Sequence, residues 1–405
     1  MNSRLGPAEG QMSPLWDTRR PKCPCVPRGK RTSAPICPAR SATDCSGDGP
    51  RVQNLYAIPG FATNPQPAGR IPKLPDPLSS PMTLSPPLAT GEVKKVATRA
   101  AYGEALLALG GLRDDVVVFD ADLSGSTKTK AFGQAYPDRF FNFGVAEANM
   151  MGTAAGLASL GQQVVFASSF AMFATGKAWE QLRQCVCVPN LNVKVCATHA
   201  GLTVGEDGKS HQMLEDITLM RAIPNMKVIV PADAIEARAA VLAAVDIPGP
   251  VYIRLSRAST RVILGDDYRF ELGHGNVLRE GTDLAICACG VEVAEALDAA
   301  ELLFAKGIDA RVINLSTIDP MDEELVATAA RECGAILTVE EHQIRGGLGD
   351  AVAQAVVKHC PVPMDMVGMD GEFGQSGPPS DLLTHYGLDA NGIAARAQKL
   401  LQRKG

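Results

Sequence analysis

The segment from Thr198 to Gln212 combines side chains that are able to do chemistry together. It reads THAGLTVGEDGKSHQ and carries His199, Asp207 and His211, so that two of the six histidines of the chain fall within 15 residues. This mixture of hydrogen-bond donors and acceptors suits an anionic, polyhydroxylated substrate. Because two histidines and one aspartate on a loop match no recognised zinc spacing, we predict a substrate-binding loop and no metal site.

An isolated carboxylate and a pair of aromatic rings are two further candidates. Glu147 stands in the apolar stretch FNFGVAEANMMG, where it is either a partly desolvated acid–base group or an exposed first-turn glutamate favoured by the helix dipole. Phe170 and Phe173 lie three residues apart, a spacing that puts them on one face of a helix that we predict over Phe170–Cys185. Ordinary core packing is the simpler interpretation of these two rings.

Short apolar strands that alternate with helices indicate how these groups are positioned. A first series, VVVF, VVFA, VKVCAT, KVIV and VYIRL, begins at Val116, and a second series, LAICA, ARVINL, AILTVE and PMDMV, begins at Leu284. Such strands are typical of a parallel sheet that is covered on both faces. The loop with His199 follows VKVCAT directly, and open α/β sheets bind their ligands at the carboxyl ends of the strands.

The pattern predicts an α/β fold with two doubly wound domains after an N-terminal segment without periodicity. We place the first domain at residues 93–260 and the second at residues 261–405, with a polar linker up to Gly273. Of the 28 prolines, 17 lie at or before Pro87, and we predict that residues 1–92 are disordered because they offer too little apolar surface to bury. A translation start at Met82 and a targeting segment are the alternatives.

Composition and missing motifs exclude several classes of protein. The net charge of −5 argues against a nucleic-acid-binding protein, and no stretch approaches the roughly 18 apolar residues of a membrane-spanning helix. The cysteine pairs C-P-C, C-V-C and C-A-C have a spacing that does not suit a zinc knuckle and is typical of buried thiols in a reducing compartment. Neither domain has a dinucleotide-binding glycine motif after its first strand. We therefore expect an acidic, cytoplasmic enzyme.

Five motifs in order make residues 93–403 similar to the C-terminal half of transketolase. They are DADLSGST, FGVAEANMMG, FASSFAMFATGKAWEQLR, THAGLTVGEDGKSHQMLEDITLMRAIPN and the R-L-S-R at Arg254–Arg257. GTDLAICACG and VEEHQIRGGLG resemble the last domain of the family. The resemblance implies a pyrimidine-binding domain followed by the transketolase C-terminal domain, in the form that split transketolases carry as a separate subunit.

The resemblance also implies thiamine diphosphate as the cofactor. In the family, a glutamate at the position of Glu147 binds N1′ of the aminopyrimidine and favours the 4′-imino tautomer, which removes the C2 proton. Phe170 and Phe173 match the aromatic positions that pack against the pyrimidine ring, and Asp122 matches the acid of the ADL motif near the cofactor. The implied reaction is transfer of a two-carbon ketol unit from a ketose phosphate to an aldose phosphate, as in the pentose phosphate pathway.

Substrate contacts follow from the same resemblance. His199, Asp207 and His211 match positions that contact the donor and acceptor sugars, and the two histidines are expected to handle protons as the carbon–carbon bond breaks and forms. Arginine suits a phosphate group because its planar fork binds two oxygens at once. The positions that match the phosphate site are Arg99, Ser126 and Arg257.

Three departures from full-length transketolases bear on the choice of substrate. Ala200 follows His199 where many of those enzymes have aspartate, and Lys209-Ser210 replaces a common Pro-Thr. Gly176 stands where an aromatic residue often lies beside the pyrimidine. These departures affect the identity of the sugar more than the class of reaction.

The resemblance does not include the diphosphate-binding domain of the family. We therefore expect an N-terminal transketolase subunit to supply the GDG motif and the Mg²⁺ ligands, in an α2β2 assembly with each active site between chains. The GDG at residues 47–49 of this chain lies in a proline-rich setting, and we interpret it as a chance match.

Three alternatives remain open. A 1-deoxyxylulose-5-phosphate synthase would have an arginine shortly after the strand that ends at Thr198, where this chain has His199. The β subunit of a 2-oxoacid dehydrogenase shares both domains but lacks the GEDGxxHQ loop. A non-catalytic scaffold subunit would have no need for Glu147 and the loop histidines.

Overall fold

The computed structural model describes residues 94–404 of the chain. The predictions for residues 1–92, namely disorder, a start at Met82 or a targeting role, lie outside the described residues, and so does the chance GDG match. Between residues 94 and 404 the chain forms two α/β domains whose sheets are mainly parallel, and this confirms the predicted fold class.

The first domain carries the candidate catalytic residues. Its strands are β1 (Lys95–Ala97), β2 (Val116–Asp120), β3 (Phe140–Asn142), β4 (Val164–Phe170), β5 (Val193–Thr198), β6 (Lys227–Ile229), β7 (Val251–Arg254) and β8 (Ser259–Arg261). Its α-helices are α1 (Thr98–Leu112), α2 (Ser124–Thr127), α3 (Lys130–Ala135), α4 (Glu147–Ala158), α5 (Trp179–Gln181), α6 (Asp216–Arg221) and α7 (Ala234–Ala244). Further helical turns are 3-10 segments at Pro137–Arg139 and Leu202–Ser210 and π-helical segments at Met172–Lys177 and Leu182–Cys187.

The second domain has a sheet of its own. Its strands are β9 (Asn276–Arg279), β10 (Leu284–Ala288), β11 (Ala310–Asn314), β12 (Thr317–Asp319), β13 (Ile336–Gln343) and β14 (Met364–Met369). Its helices are α8 (Glu292–Phe304), α9 (Glu323–Cys333), α10 (Leu348–His359), α11 (Pro379–Tyr386) and α12 (Ala390–Leu401). The strand order is β14-β13-β10-β11-β9, and only the pairing of β9 with β11 is antiparallel.

The larger sheet connects the two domains. Its order is β12-β6-β7-β5-β4-β2-β3, with parallel pairs throughout except at one edge. There β12, which comes from the second domain, runs antiparallel to β6 with Thr317 opposite Ile229. The second domain therefore completes the sheet of the first.

Alternating side chains of the central strands explain why both faces of this sheet are covered. Along β2, Val116 and Val118 pack into a core with α1 and α7, whereas Val117 and Phe119 pack into a core with α4. All of β2, β4 and β5 is buried. This arrangement agrees with the continuous apolar strands of the sequence, because a strand buried on both faces has no polar side to expose.

The stretch predicted to be a polar linker is partly buried. Ile263 and Leu264 are at most 5% exposed, and their backbone N–H groups donate to one carboxylate oxygen of Asp233. The other oxygen of Asp233 caps the first turn of α7. One aspartate thus holds the connection between the domains against α7.

The helix predicted over Phe170–Cys185 is wrong at its start and irregular in its interior. Phe170 is the last residue of β4, where it pairs with Thr198, and the chain turns into the π-helical segments only afterwards. A short apolar run does not distinguish a strand from a helix by its period. Pairing with β5 extends the strand, so Phe170 and Phe173 do not share a helix face.

The helices of the described region are short and amphipathic or buried. No helix within residues 94–404 is both long and apolar enough to cross a membrane.

Candidate active site

The candidate residues meet where two neighbouring strands end. Phe170 is the last residue of β4, and His199 follows the last residue of β5. Because β4 and β5 are parallel and pair Phe170 with Thr198, the two side chains emerge at the same edge of the sheet. The Phe170 and His199 rings stack with their centroids 3.7 Å apart and an interplanar angle of 23°.

Two more rings extend this stack into an aromatic cluster. Phe173 lies nearly parallel to Phe170 with a centroid distance of 6.0 Å. The His211 ring stands edge-on to both phenyl rings, 5.6 Å from Phe173 and 6.2 Å from Phe170. The structure therefore brings together both phenylalanines and both loop histidines.

His199 is fixed by hydrogen bonds at both ring nitrogens. Its Nδ1 lies 2.9 Å from Thr198 Oγ1, and its Nε2 lies 3.3 Å from Arg99 Nη1. A guanidinium only donates, so Nε2 is the acceptor and Nδ1 carries the proton that it donates to Thr198. The backbone of His199 has a φ of 57°, a left-handed conformation that side chains rarely adopt.

The charge around His199 is positive. Burial is the largest cause that lowers its pKa to about 3, and the nearby charges of Arg99 and Arg257, then His211 and Lys128, contribute the rest of this shift. A neutral imidazole is therefore the form of His199 in the neutral pH range. The same cations that disfavour an imidazolium ion would attract an anionic group to this edge of the sheet.

The two arginines of the predicted phosphate site are each held by a main-chain oxygen. Arg99, in the first turn of α1, donates to the main-chain oxygen of Ser126 at 3.0 Å, and burial followed by the charge of Arg257 lowers its pKa. Arg257 donates to Val204 O at 2.5 Å and to the Glu206 carboxylate at 2.7 Å. Arg99 and Arg257 thus lie close enough for their charges to interact, and both contact the loop.

Glu147 is buried at the start of α4, as the desolvated interpretation requires. It is 2% exposed, and its Oε2 accepts a hydrogen bond from Lys177 Nζ at 2.7 Å. Lys177 is 56% exposed and also lies 5.9 Å from the centroid of the Phe173 ring. The exposed-glutamate interpretation is excluded, and Lys177 joins the carboxylate to the aromatic cluster.

The side chains of three predicted site residues, Asp122, Ser126 and Asp207, contribute less to the candidate site than the aromatic cluster and the arginines do. Asp122 is exposed with a φ of 64° and pairs with Asn142, which donates to it at 3.2 Å. Ser126 contributes its main-chain oxygen to Arg99. Asp207 is exposed at the tip of the loop, and its main-chain oxygen accepts a hydrogen bond from Ser210 at 3.4 Å.

Sequence reasoning missed Lys177 and Lys128. Lys177 falls four residues after Phe173 in the motif FASSFAMFATGKAWEQLR. Residues four apart are neighbours on a helix, so this spacing indicates that Lys177 lies near Phe173. Lys128 carried no such signal, since only the fold brings its charge near His199. Within residues 94–404, no group of three or more His, Cys, Asp or Glu side chains is arranged to hold a metal ion.

Comparisons with known families match both domains. The family described as "Transketolase, pyrimidine binding domain" matches residues 94–262. The family described as "Transketolase, C-terminal domain" matches residues 273–393. A parallel α/β domain with this site at its carboxyl edge is therefore a pyrimidine-binding domain of the transketolase type.

Individual proteins that are similar to this chain indicate which part of a transketolase it corresponds to. A transketolase C-terminal section of Methanocaldococcus jannaschii is 48% identical over 309 residues, which are 76% of this chain and 96% of that protein. The 6-deoxy-6-sulfo-D-fructose transketolase subunit of Clostridium sp. (strain MSTE9) is 41% identical, over 76% of this chain and 95% of that protein. A solved split gene transketolase, an inactive beta4 tetramer, is 50% identical with a TM-score of 0.72 and covers 76% of this chain and 100% of that chain.

The chain belongs to the transketolase family. It corresponds to the C-terminal section of that family, and the resemblance found in its motifs is confirmed.

Proposed function

We propose that this chain is the C-terminal subunit of a thiamine diphosphate-dependent transketolase that transfers a two-carbon ketol unit from a ketose phosphate to an aldose phosphate. The observation that carries the proposal is the meeting of an acid, an aromatic cluster and a loop with two histidines, next to several cations, at one sheet edge. A scaffold subunit would have no need for a buried Glu147 or for a His199 with a left-handed backbone and three cations around it.

The described residues fit the pyrimidine end of the cofactor. An aminopyrimidine needs an apolar face and an acid at N1′. The partly exposed Phe173 ring and the buried Glu147 carboxylate supply these, and Lys177 lies between them at 5.9 Å from the ring centroid and 2.7 Å from Oε2. Phe170 is largely covered by His199, so we assign to Phe173 the main contact with the ring and to Phe170 its support. We expect Lys177 to release Oε2 when N1′ binds.

Bound thiamine diphosphate would supply a nucleophilic carbon and an electron sink. Glu147 would hold the proton at N1′. The neutral His199, with Nε2 as acceptor, and His211 would bind sugar hydroxyls and move protons at the carbonyl and hydroxyl oxygens. Arg99 and Arg257 would bind the phosphate, because both guanidinium groups contact the loop and are able to bind two phosphate oxygens at once.

The proposed partner is an N-terminal transketolase subunit that binds the diphosphate and Mg²⁺. Support comes from the relatives, since one is named a C-terminal section and another a subunit, and the solved split gene relative is inactive as a beta4 tetramer. An apolar groove of about 420 Å³ lies beside α4, lined by Phe119, Phe141, Phe143, Leu157 and Leu160 among others. We assign this groove to the partner, in an α2β2 assembly.

The function is tested by reconstitution with an N-terminal transketolase subunit from the same organism. The complex, with thiamine diphosphate and Mg²⁺, is assayed for ketol transfer on a panel of sugar phosphates. We add the sulfonated sugar 6-deoxy-6-sulfo-D-fructose to these sugar phosphates because a relative is named for it. Ketol transfer by the complex and none by this chain alone is the expected result. A complex that binds the cofactor and transfers no ketol unit from any donor would favour the scaffold alternative.

The loop histidines provide a second test within the complex. His199→Ala and His211→Ala are expected to lower kcat/KM for the sugar phosphates and to leave the affinity for thiamine diphosphate nearly unchanged. His385, which is exposed on α11, serves as the matched control for loss of a histidine. Loss of cofactor affinity with intact substrate kinetics would assign the two histidines to the other ligand.

A further inference from the structure

The loop that carries both histidines has a conformation that its own sequence does not select. We call residues 199–213 the histidine loop. Positive φ angles occur at His199 (57°), Gly201 (82°), Gly205 (80°) and Gly208 (69°). Because glycine-rich backbone has many other conformations open to it, contacts from outside the loop must select this one.

The second domain supplies such a contact through Glu341 on β13. Thr203, inside the loop, donates to Glu341 Oε2 from both its backbone N–H at 3.0 Å and its hydroxyl at 2.8 Å. Gly201 lies so close to the same carboxylate that a Cβ at this position would clash with it. The first half of the loop therefore rests directly on the side chain of Glu341.

Arg254 extends this support to the end of the loop. Its Nη1 lies 3.5 Å from Glu341 Oε1, and its Nη2 donates to Glu341 O at 3.1 Å and to Met213 O at 3.4 Å. Met213 O also accepts the backbone N–H of Gly201 at 2.9 Å, which closes the loop. Arg254 and Glu341 are both buried, so water does not compete for these bonds.

The tip of the loop is also held by the second domain. Gln212 Nε2 donates to Leu202 O within the loop at 3.1 Å and to Gln375 O of the second domain at 2.9 Å. Gly208 packs against Ser376 with no room for a side chain. Contacts with residues outside the loop thus support it at its start, its tip and its end.

We propose that Glu341 is a positioning residue for the substrate site, through which the C-terminal domain fixes His199 and His211. This proposal rests on the proposed function. Glu341 touches neither histidine; it acts through Thr203, Gly201 and Arg254. The C-terminal domain would then determine how well the sugar phosphate is bound although it contributes no group to the reaction.

The neighbouring Glu340 provides a matched control. Successive residues of a strand point to opposite faces, and Glu340 accepts hydrogen bonds from Leu348 N at 2.7 Å and Gly349 N at 2.8 Å at the start of α10. Both glutamates are buried carboxylates of β13 that accept hydrogen bonds from backbone N–H groups. Only Glu341 contacts the histidine loop.

The test compares Glu341→Gln with Glu340→Gln, and Thr203→Val with Thr203→Ser. Hydrogen–deuterium exchange is measured on the full chain, and kcat and KM for the sugar phosphates are measured in the reconstituted complex. We expect Glu341→Gln and Thr203→Val to speed amide exchange in residues 199–213 and to lower kcat/KM on the order of tenfold to 10²-fold. Glu340→Gln and Thr203→Ser should change neither, and cofactor affinity should stay constant in all four variants.

Two results would overturn the proposal. One is unchanged loop exchange in a folded Glu341→Gln variant. If that variant does not fold, Thr203→Val decides, because valine keeps the shape of threonine and replaces its hydroxyl with a methyl group. The other is faster loop exchange with unchanged kinetics, which would make the contact merely structural. If the wild-type complex transfers no ketol unit, the proposed function fails, while the exchange data still decide whether Glu341 holds the loop.

Discussion

At the residue scale, the protonation of His199 follows from its contacts. Arg99 donates to Nε2, Thr198 accepts from Nδ1, and the ring is covered by Phe170. Adding a second ring proton would place a charge beside cations in a buried site. Nε2 of His199 is therefore able to accept a hydrogen bond or a proton from another group only after Arg99 moves away from it.

The first prediction is that His199 does not titrate between pH 5 and pH 8. Its pKa is lowered to about 3, mainly by burial and then by the charges of Arg99 and Arg257, so the ring stays neutral throughout this range. The measurement is the NMR chemical shift of the ring carbons with labelled histidine. The His199→Ala variant identifies the signal. A signal of His199 that titrates near the ordinary value of about 6.5 would contradict this account of the site.

At the scale of helices and strands, the sequence-based prediction was correct where neighbouring residues along the chain determine the structure. The strand Val193–Thr198 and the strand Leu284–Ala288 were predicted to the residue, because runs of buried apolar residues between glycines and polar turns have a local signature. The region after Ser168 was not predicted correctly. There, pairing with β5 decides that Phe170 is in a strand, and pairing is a property of the fold.

The residues of the candidate site could also be predicted only where the signal in the sequence is local. Glu147, the two phenylalanines and the loop histidines were found from their motifs, whose order along the chain is local information. The ion pair of Glu147 with Lys177 and the support of Thr203 by Glu341 were not found. The second contact joins residues 138 positions apart, and no period or spacing in the sequence records it.

The second prediction concerns Glu292, the first residue of α8. It is fully buried, and within residues 94–404 neither of its carboxyl oxygens has a hydrogen-bond partner. Burial raises the pKa of Glu292 well above its usual range, and the charges of Glu341 and Glu295 raise it further. The folded state therefore holds a proton that the unfolded state releases above about pH 4.3.

Glu292→Gln should accordingly stabilise the protein, increasingly so as the pH rises from 5 to 7. The sign follows from the raised pKa of Glu292, since the wild type must take up a proton to fold whereas glutamine does not titrate. Urea unfolding of wild type and variant at each pH measures the difference. Glu301→Gln, on the exposed face of the same helix, is the control. A constant difference between variant and wild type across this range would show that Glu292 is ionised in the fold.

At the scale of the whole molecule, the two domains act as one support for the site. β12 of the second domain completes the sheet of the first, and a buried group of Asp216, Arg254 and Glu341 lies between them. Tyr252 donates to Asp216 at 2.6 Å in the same group. Buried ion pairs are costly when one partner is removed, so this interface resists separation of the domains.

The third prediction concerns the apolar groove beside α4. Leu160 is 67% exposed and lines the groove, and we expect Leu160→Asp to weaken assembly with the N-terminal subunit by about tenfold or more, because a charge would be buried in an apolar contact. Analytical ultracentrifugation measures the assembly. Val357→Asp, at a position 74% exposed on α10, is the control for adding a charge to the surface. If the two variants had equal affinities for the partner, the interface would not include the groove beside α4.

The most direct test of the central claim is the rate of hydrogen–deuterium exchange at C2 of thiamine diphosphate in the reconstituted complex with Glu147→Gln. The amide keeps the size of the side chain but cannot hold the proton at N1′, and loss of a positioned acid–base group typically costs about 10²–10⁴-fold in rate. Circular dichroism serves as the folding control, and Glu180→Gln, an exposed glutamate of the same domain, serves as the matched variant. We predict that Glu147→Gln folds, assembles and exchanges the proton at least 10²-fold more slowly than wild type. A folded, assembled Glu147→Gln complex that exchanges at the wild-type rate would contradict the assignment of Glu147 and the proposed function with it.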